Sequence, residues 1–468
     1  MTLTTRSVAR GVAAASLLAL AASGAWAQTA PRQAPPAPGA PKNFALPAPA
    51  RLTLPNGMPV TMVPFGLVPK VAIRLVVDAG NAHEAAGEVW LADLAGRMMK
   101  EGTASLAGEN LARAFADMGG ELSVSVGPNA TNISTEVLSE RAADALRLVA
   151  EVARQPRWPE DALARVKSDM ARELAIAKTQ PQATAMESFA ALLYGDHPYG
   201  RVFPTEAMLS GYTLDQVRAF HRQRFGGNRA RLYIAGVFDR AALETATRDA
   251  LGSWPAAAGS PDPPRPPARP RGFALIDRPG APQSTLMMGL RVPDPSDPAW
   301  IQLVVTDSLL GGSFGSRITS NIREAKGYTY SPYSTVQPMV GSAYWSEVAD
   351  VSTAVTGAAI QEIANEIERL GREAPAATEL RGIQNNLAGT FVVSNASRAG
   401  VIGQLVFVDR YRLGDDYLAK YVERISTVTP EQVRQTARQH LASDAMTLVV
   451  VGDTKAVRSQ VARWADRK

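Results

Sequence analysis

Along the chain the apolar positions change period in a regular way. Leu122, Val124 and Val126 alternate with Ser123 and Ser125, which is the two-residue period of a half-buried strand. Gly127-Pro128-Asn129 turns the chain, and Thr131 to Val137 returns as a second strand. Ala142, Leu146, Val149 and Ala153 then recur at helical spacing, as one apolar stripe. Two short apolar runs, Leu232-Tyr-Ile-Ala-Gly236 and Leu448-Val-Val-Val-Gly452, read as strands, each preceded by a helix. Both of those helices open on a capping box, Thr213 with Gln216 and Thr429 with Gln432, where each side chain satisfies the other residue's backbone N–H. Pro430 takes the first helical position, where a missing N–H costs nothing. Thr213 to Thr429 and Gly236 to Gly452 are both separated by 216 positions, an ungapped match that reads as an internal duplication. Helices and hairpins in this order predict an α+β fold of two homologous domains, each an antiparallel sheet covered by helices on one face.

Composition sets the boundaries between these units. Arg6 and Arg10 precede an apolar run, Gly11 to Ala22, that ends in the small-residue signal Ala25-Trp26-Ala27. The run is too short to span a bilayer, so residues 1–27 read as a secretory signal peptide cleaved after Ala27, and the mature chain as periplasmic in a Gram-negative cell. With no cysteine in the chain, an exported protein must be held together by core burial rather than disulfides. Residues 28–50 are a Pro/Ala-rich leader expected to be poorly ordered, and the Pro-rich stretch 256–272 is a linker. Between them lie an N-terminal domain, 51–255, and a C-terminal domain, 273–468. Loss of the signal's two arginines lowers the formal charge from +5 to +3, and the basic residues are dispersed, which argues against nucleic acid as a partner. After signal cleavage nothing calls for a membrane.

Four segments carry a resemblance. They are Leu54-Pro-Asn-Gly57, the helix Gly87-Glu-Val-Trp-Leu-Ala-Asp-Leu-Ala-Gly-Arg-Met-Met-Lys-Glu-Gly-Thr103, Tyr194-Gly-Asp-His-Pro-Tyr-Gly200, and the stretch from Leu310-Gly-Gly-Ser-Phe-Gly-Ser-Arg to Lys326-Gly-Tyr-Thr-Tyr330. In this order and spacing they resemble the pitrilysin/insulinase-type metallopeptidases, whose zinc helix carries the signature H-x-x-E-H. Aligned on Glu101-Gly102-Thr103, the two metal histidines fall on Asp93 and Arg97 and the catalytic glutamate on Gly96. The third metal ligand falls on Glu173, 76 residues beyond Arg97. Arginine is no zinc ligand, so this chain is expected to bind no metal, with Arg97 turned toward Glu173 and able to pair with Asp93 on its own helix face.

The resemblance further implies a short two-chain form, in which a zinc-bearing subunit meets a partner that supplies an arginine and a tyrosine across a chamber. That pair falls on Arg323 and Tyr330, expected at the end of a helix running from Gly311 and on the strand after it. Together they offer a rigid fork of donors and a hydroxyl to a scissile carbonyl. The implied function is a catalytically incomplete subunit of a periplasmic heterodimeric zinc peptidase, acting on peptides or unfolded polypeptide, with the zinc held by the homologous partner. The alternative is a non-enzymatic peptide-binding or scaffold protein of the same fold. A self-sufficient hydrolase would need a metal site elsewhere. His83, His197, His221 and His440 offer no pair with metal-ligand spacing, and the glycines at 311–315 lack the Gly-Lys-Ser/Thr of a phosphate loop.

Overall fold

The computed structural model describes residues 45–259 and 263–466, so residues 1–27 and most of the 28–50 leader lie outside the described residues. The end of the leader is not loose. Leu46 packs onto a hydrophobic cluster and Ala50 opens the first strand.

The first sheet is built from β1 (Ala50–Thr53), β2 (Pro59–Pro64), β3 (Lys70–Val77), β4 (Ser123–Val126), β5 (Thr131–Leu138) and β6 (Ala230–Gly236), in the order β1-β2-β6-β3-β5-β4. The second contains β7 (Phe273–Asp277), β8 (Gln283–Val292), β9 (Tyr333–Met339), β10 (Ser342–Ser352) and β11 (Thr447–Gly452), in the order β7-β11-β8-β10-β9. Setting β1 aside, the two orders and strand senses correspond one to one. Each sheet also contains a parallel pair, β2 with β6 and β7 with β11, among otherwise antiparallel neighbours. The helices correspond likewise. In the first half they are α1 (Leu91–Met98), α2 (Gly108–Asp117), α3 (Ala142–Arg154), α4 (Glu160–Thr179), α5 (Pro181–Tyr194), α6 (Glu206–Gly211), α7 (Leu214–Arg224) and α8 (Arg240–Leu251). In the second they are α9 (Trp300–Leu310), a π-helix (Thr319–Ala325), α10 (Thr356–Arg372), α11 (Ala377–Ser394), α12 (Arg398–Tyr411), α13 (Tyr421–Ser426), α14 (Pro430–His440) and α15 (Thr454–Ala465). Both capping boxes form, with Thr213 N–H donating to Gln216 Oε1 at 2.9 Å and Thr429 N–H to Gln432 Oε1 at 2.8 Å.

The sheets differ from the one-sided expectation in a consequential way. On β3, Val71, Ile73, Leu75 and Val77 enter the core of their own half, while Ala72 and Val76 are buried on the opposite face. That second face is covered by α12 from the other half, through Val401, Ile402 and Leu405. In return α5 lays Ala185, Phe189 and Leu193 on Met287, Val449 and Val451 of the second sheet. Both faces of the central strands β3, β6, β8 and β11 are therefore covered, which is why they read as nearly continuous apolar runs. Polar fastenings accompany the exchange: Tyr233 Oη donates to Asp409 at 2.7 Å, Arg398 pairs with Glu136 at 2.8 Å, and Gln182 donates to Asp350 at 2.8 Å.

The Pro-rich connection is strapped down where it is described. Ala257 N–H donates to Asn228 at 2.7 Å, the His197 ring bonds the Pro264 carbonyl at 2.9 Å, and Arg291 donates to the Pro266 carbonyl at 3.0 Å. Among the described residues no single helix is long and apolar enough to cross a membrane.

Candidate functional site

Helix α1 begins without a conventional cap. Trp90 precedes it with φ 68° and ψ 13°, a left-handed backbone that a bulky residue adopts only under constraint. The constraint is Glu84, whose carboxylate accepts from Trp90 N–H at 3.1 Å, from Ala92 N–H at 2.8 Å and from Asn81 Nδ2 at 3.2 Å. Burial pushes the Glu84 carboxyl up to about 8 against these donors. Asn81 also donates to Asp93 Oδ2 at 2.6 Å, and burial raises Asp93 as well.

One turn further, Arg97 forms a bidentate pair with Glu173 on α4, at 2.8 and 2.6 Å. That hydrogen bond is the main cause holding the Glu173 carboxyl below its ordinary range. One expectation needs correction. Asp93 makes no ion pair with Arg97; Asn81 takes its carboxylate, and Glu173 takes the two terminal guanidinium nitrogens of Arg97. The Arg97–Glu173 pair lies at the surface, with side chains 36% and 53% exposed.

Gly96 is filled from outside. A Cβ placed there would lie 2.8 Å from Val126 Cγ2 and 3.5 Å from Val124 Cγ1, so β4 packs directly on the helix backbone. The four positions do not fit zinc. One potential ligand is a cation, the carboxylate that could serve is neutralised by it, and the place of a catalytic base is occupied by valine. Among the described residues no group of three or more His, Cys, Asp or Glu side chains could hold a metal ion.

In the second half, α9 ends at Gly311, and the Gly311 and Gly312 N–H groups both bond the Asp307 carbonyl, at 2.9 and 2.8 Å. Arg323 lies on the π-helix and not on a helix running from Gly311; π turns often accompany functional positions. Tyr330 precedes β9 rather than lying on it, after an isolated bridge from Thr329 to Val351. The structure nonetheless brings the two together. The Arg323 guanidinium sits 5.3 Å from the Tyr330 ring centre and 4.4 Å from that of Phe314, with Glu324 at 3.4 Å. Tyr330 and Phe314 are 79% and 75% exposed, so the cation is sandwiched between two outward aromatic rings. Phe314 escaped the sequence reading, although its place inside the glycine cluster was the available signal.

Beneath those glycines lies a buried acid pair. Asp307 accepts from Ser334 Oγ at 2.5 Å and Trp345 Nε1 at 2.8 Å, and burial pushes it up to about 6. Glu347 on β10 is buried with no hydrogen-bond partner on either oxygen, and burial with Asp307 nearby drives it well above the usual carboxylate range. A Cβ on Gly311 would lie 2.5 Å from Glu347 Oε2, which explains glycine there. The histidines are structural where the contacts are defined. His83 Nδ1 accepts from Gly80 N–H at 3.0 Å, and the His221 ring bonds the Ala153 carbonyl at 2.8 Å while stacking on Phe225.

Comparison with known proteins matches the chain to two family descriptions. Residues 67–203 match the insulinase (peptidase family M16) model, and residues 211–387 match the model described as the peptidase M16 inactive domain. The chain is 27% identical over 443 residues to an uncharacterized zinc protease of Mycobacterium tuberculosis, covering 92% of this chain and 98% of that one. A zinc protease of Bacillus subtilis, also uncharacterized, is 22% identical over 404 residues, covering 84% and 96%. Among solved structures, a peptidase M16 inactive domain from Pseudomonas fluorescens aligns with TM-score 0.80 at 27% identity, covering 87% of this chain and 98% of that one. A protease from Helicobacter pylori shares the fold at TM-score 0.81 and 18% identity, covering 87% and 100%.

Proposed function

The chain belongs to the insulinase/pitrilysin-type (M16) peptidase family, and we propose that it serves there as a catalytically incomplete subunit of a periplasmic heterodimer. In this reading the zinc and the water it activates belong to a homologous partner with an intact H-x-x-E-H helix. The observation that carries the reading is the contrast between the two sites. At the positions aligned with the metal ligands an Arg97–Glu173 pair and the β4 valines fill the space, while Arg323 and Tyr330 stand together with their donors free of any buried partner.

Arg323 would grip the carbonyl of an extended peptide through its fork of N–H donors, and the Tyr330 hydroxyl would donate to the oxygen as it gains negative charge. The aromatic sandwich lowers the entropy lost when the guanidinium is aimed.

The test uses the mature chain and a zinc-bearing partner. Alone, this chain should show no peptidase activity and no chelator-sensitive zinc by elemental analysis. Mixed, turnover should rise well above that of the partner alone. If Arg323→Ala and Tyr330→Phe both leave the mixed turnover at the wild-type level, the pair is structural and the scaffold reading replaces this one.

A further inference from the structure

The segment Tyr194 to Gly200 is committed to holding the connection between the halves. Its His197 ring bonds the Pro264 carbonyl at 2.9 Å, and a Cβ on Gly195, at φ 58°, would collide with the Arg269 guanidinium. From the other side Arg291 reaches the Pro266 carbonyl at 3.0 Å, and Arg271 reaches the Trp464 carbonyl at 2.6 Å. The prolines fix φ along residues 263–271. The connection is thus a strap whose arginines are largely positioned before any ligand arrives.

The strap lines a cavity of about 640 Å³ at one end of the second sheet, where β8 finishes and β10 and β11 begin. Arg265, Arg269, Arg271 and Arg291 face it against Asp294 and Asp297, so positive groups outnumber negative ones. Both aspartates already have donors. Asp294 accepts from Ser296 N–H at 2.9 Å and from Arg265 at 3.3 Å, and Asp297 accepts from Ala299 N–H at 2.8 Å. Arg269 makes no hydrogen bond or ion pair among the described residues.

A carboxylate suits this wall better than a phosphate does. Phosphate sites draw on backbone N–H groups, often at a helix start, and the strap's prolines have none. The wall offers guanidinium forks instead, which match a planar carboxylate with two parallel N–H···O bonds. Forks on more than one residue suit an anion with more than one carboxylate.

We propose that this cavity binds a small polycarboxylate, with Arg265 and Arg269 as its chief anchors. The carboxylates belong either to a free di- or tricarboxylic acid or to the side chains of an acidic peptide. The proposal does not depend on the subunit reading.

The test is isothermal titration calorimetry on the full mature chain without partner, at fixed ionic strength so that screening is the same for every anion. The probes are tricarballylate, glutarate, acetate, inorganic phosphate and a Glu-Glu-Glu peptide capped at both ends. Tricarballylate should saturate at millimolar concentration and bind at least tenfold tighter than acetate or phosphate, with glutarate between. Arg265→Gln and Arg269→Gln, both at exposed side chains, should each weaken tricarballylate at least tenfold. If either variant melts early, the wild-type series decides alone. The peptide names the source: tighter than tricarballylate for a peptide ligand, weaker for a free acid. No saturation, phosphate equal to tricarballylate, or full affinity in both folded variants overturns the site.

Discussion

In the N-terminal half, Glu84 is buried at the start of α1 and Asp93 lies half-buried on that helix, and donors reach both: two backbone N–H groups at the helix start and the amide of Asn81. In the C-terminal half, Asp307 lies on α9, the corresponding helix, and Glu347 is buried near it on β10, yet Glu347 meets no donor at all. The difference is one of position. Glu84 precedes a helix, whose first N–H groups lack intrahelical partners and lie within reach of a carboxylate. Glu347 sits inside a strand whose own N–H groups are committed to the sheet, so burial leaves protonation as its remaining route to neutrality. The corresponding helices thus adjoin an outward ion pair in one half and a buried acid in the other.

The sharpest way to break this comparison is to disable each half in the presence of the partner. Tyr330→Phe should lower turnover by ~10²–10³, equivalent to ~2.7–4 kcal/mol for one lost oxyanion donor. Arg97→Ala should leave the turnover unchanged, and equal losses from both would end the distinction between an emptied half and a working one.

The second effect concerns pH. Because Glu347 is raised in the folded state, its contribution to stability is present below about 4.5 and is lost as pH climbs toward its folded value. Asp307 adds a similar loss between its ordinary 3.8 and about 6. Glu347→Gln removes that residue's share of the slope. Measured by urea unfolding, it should gain on wild type by ~1.4 kcal/mol per pH unit above 4.5, and nothing below. Parallel stability curves from pH 4 to 7.5 would show that Glu347 finds a donor or cation.

Restoring the missing base should fail for a steric reason. Gly96→Glu drives a Cβ into Val126, so it should cost ~1–3 kcal/mol by overpacking, relieved when Val126→Ala is added. A neutral Gly96→Glu would mean that β4 does not rest on α1. The smallest effect is expected at the Arg97–Glu173 pair. Half-exposed as it is, Glu173→Ala should cost ~0–1 kcal/mol in thermal unfolding.

Much of this was legible in the chain itself. The capping boxes, the 216-residue offset and the degenerate helix are local patterns, and each appears in the structure where its residues lie. The pairing of Arg97 with Glu173 came from a shared alignment rather than from periodicity. What local pattern could not reveal was long-range. The role of Glu84 depends on a helix start six residues later. The burial of Glu347 depends on Gly311 at the end of α9, and no local pattern around either residue signals it. The parallel strand pairs and the second covered face of each sheet were missed for the same reason. Their partners lie far away in sequence, across the connection between the halves or at the two ends of one half.

The exchange of α5 and α12 has a consequence for how the chain can be taken apart. A break introduced between residues 259 and 263 would sever the covalent connection without freeing either piece. Each piece would still have its own helix lodged on the sheet of the other. The two fragments should co-purify as a non-covalent complex, and either one expressed alone would present a bare apolar sheet face to water. The 216-residue repeat is thus a unit of sequence history but not a unit that can be cut out and kept.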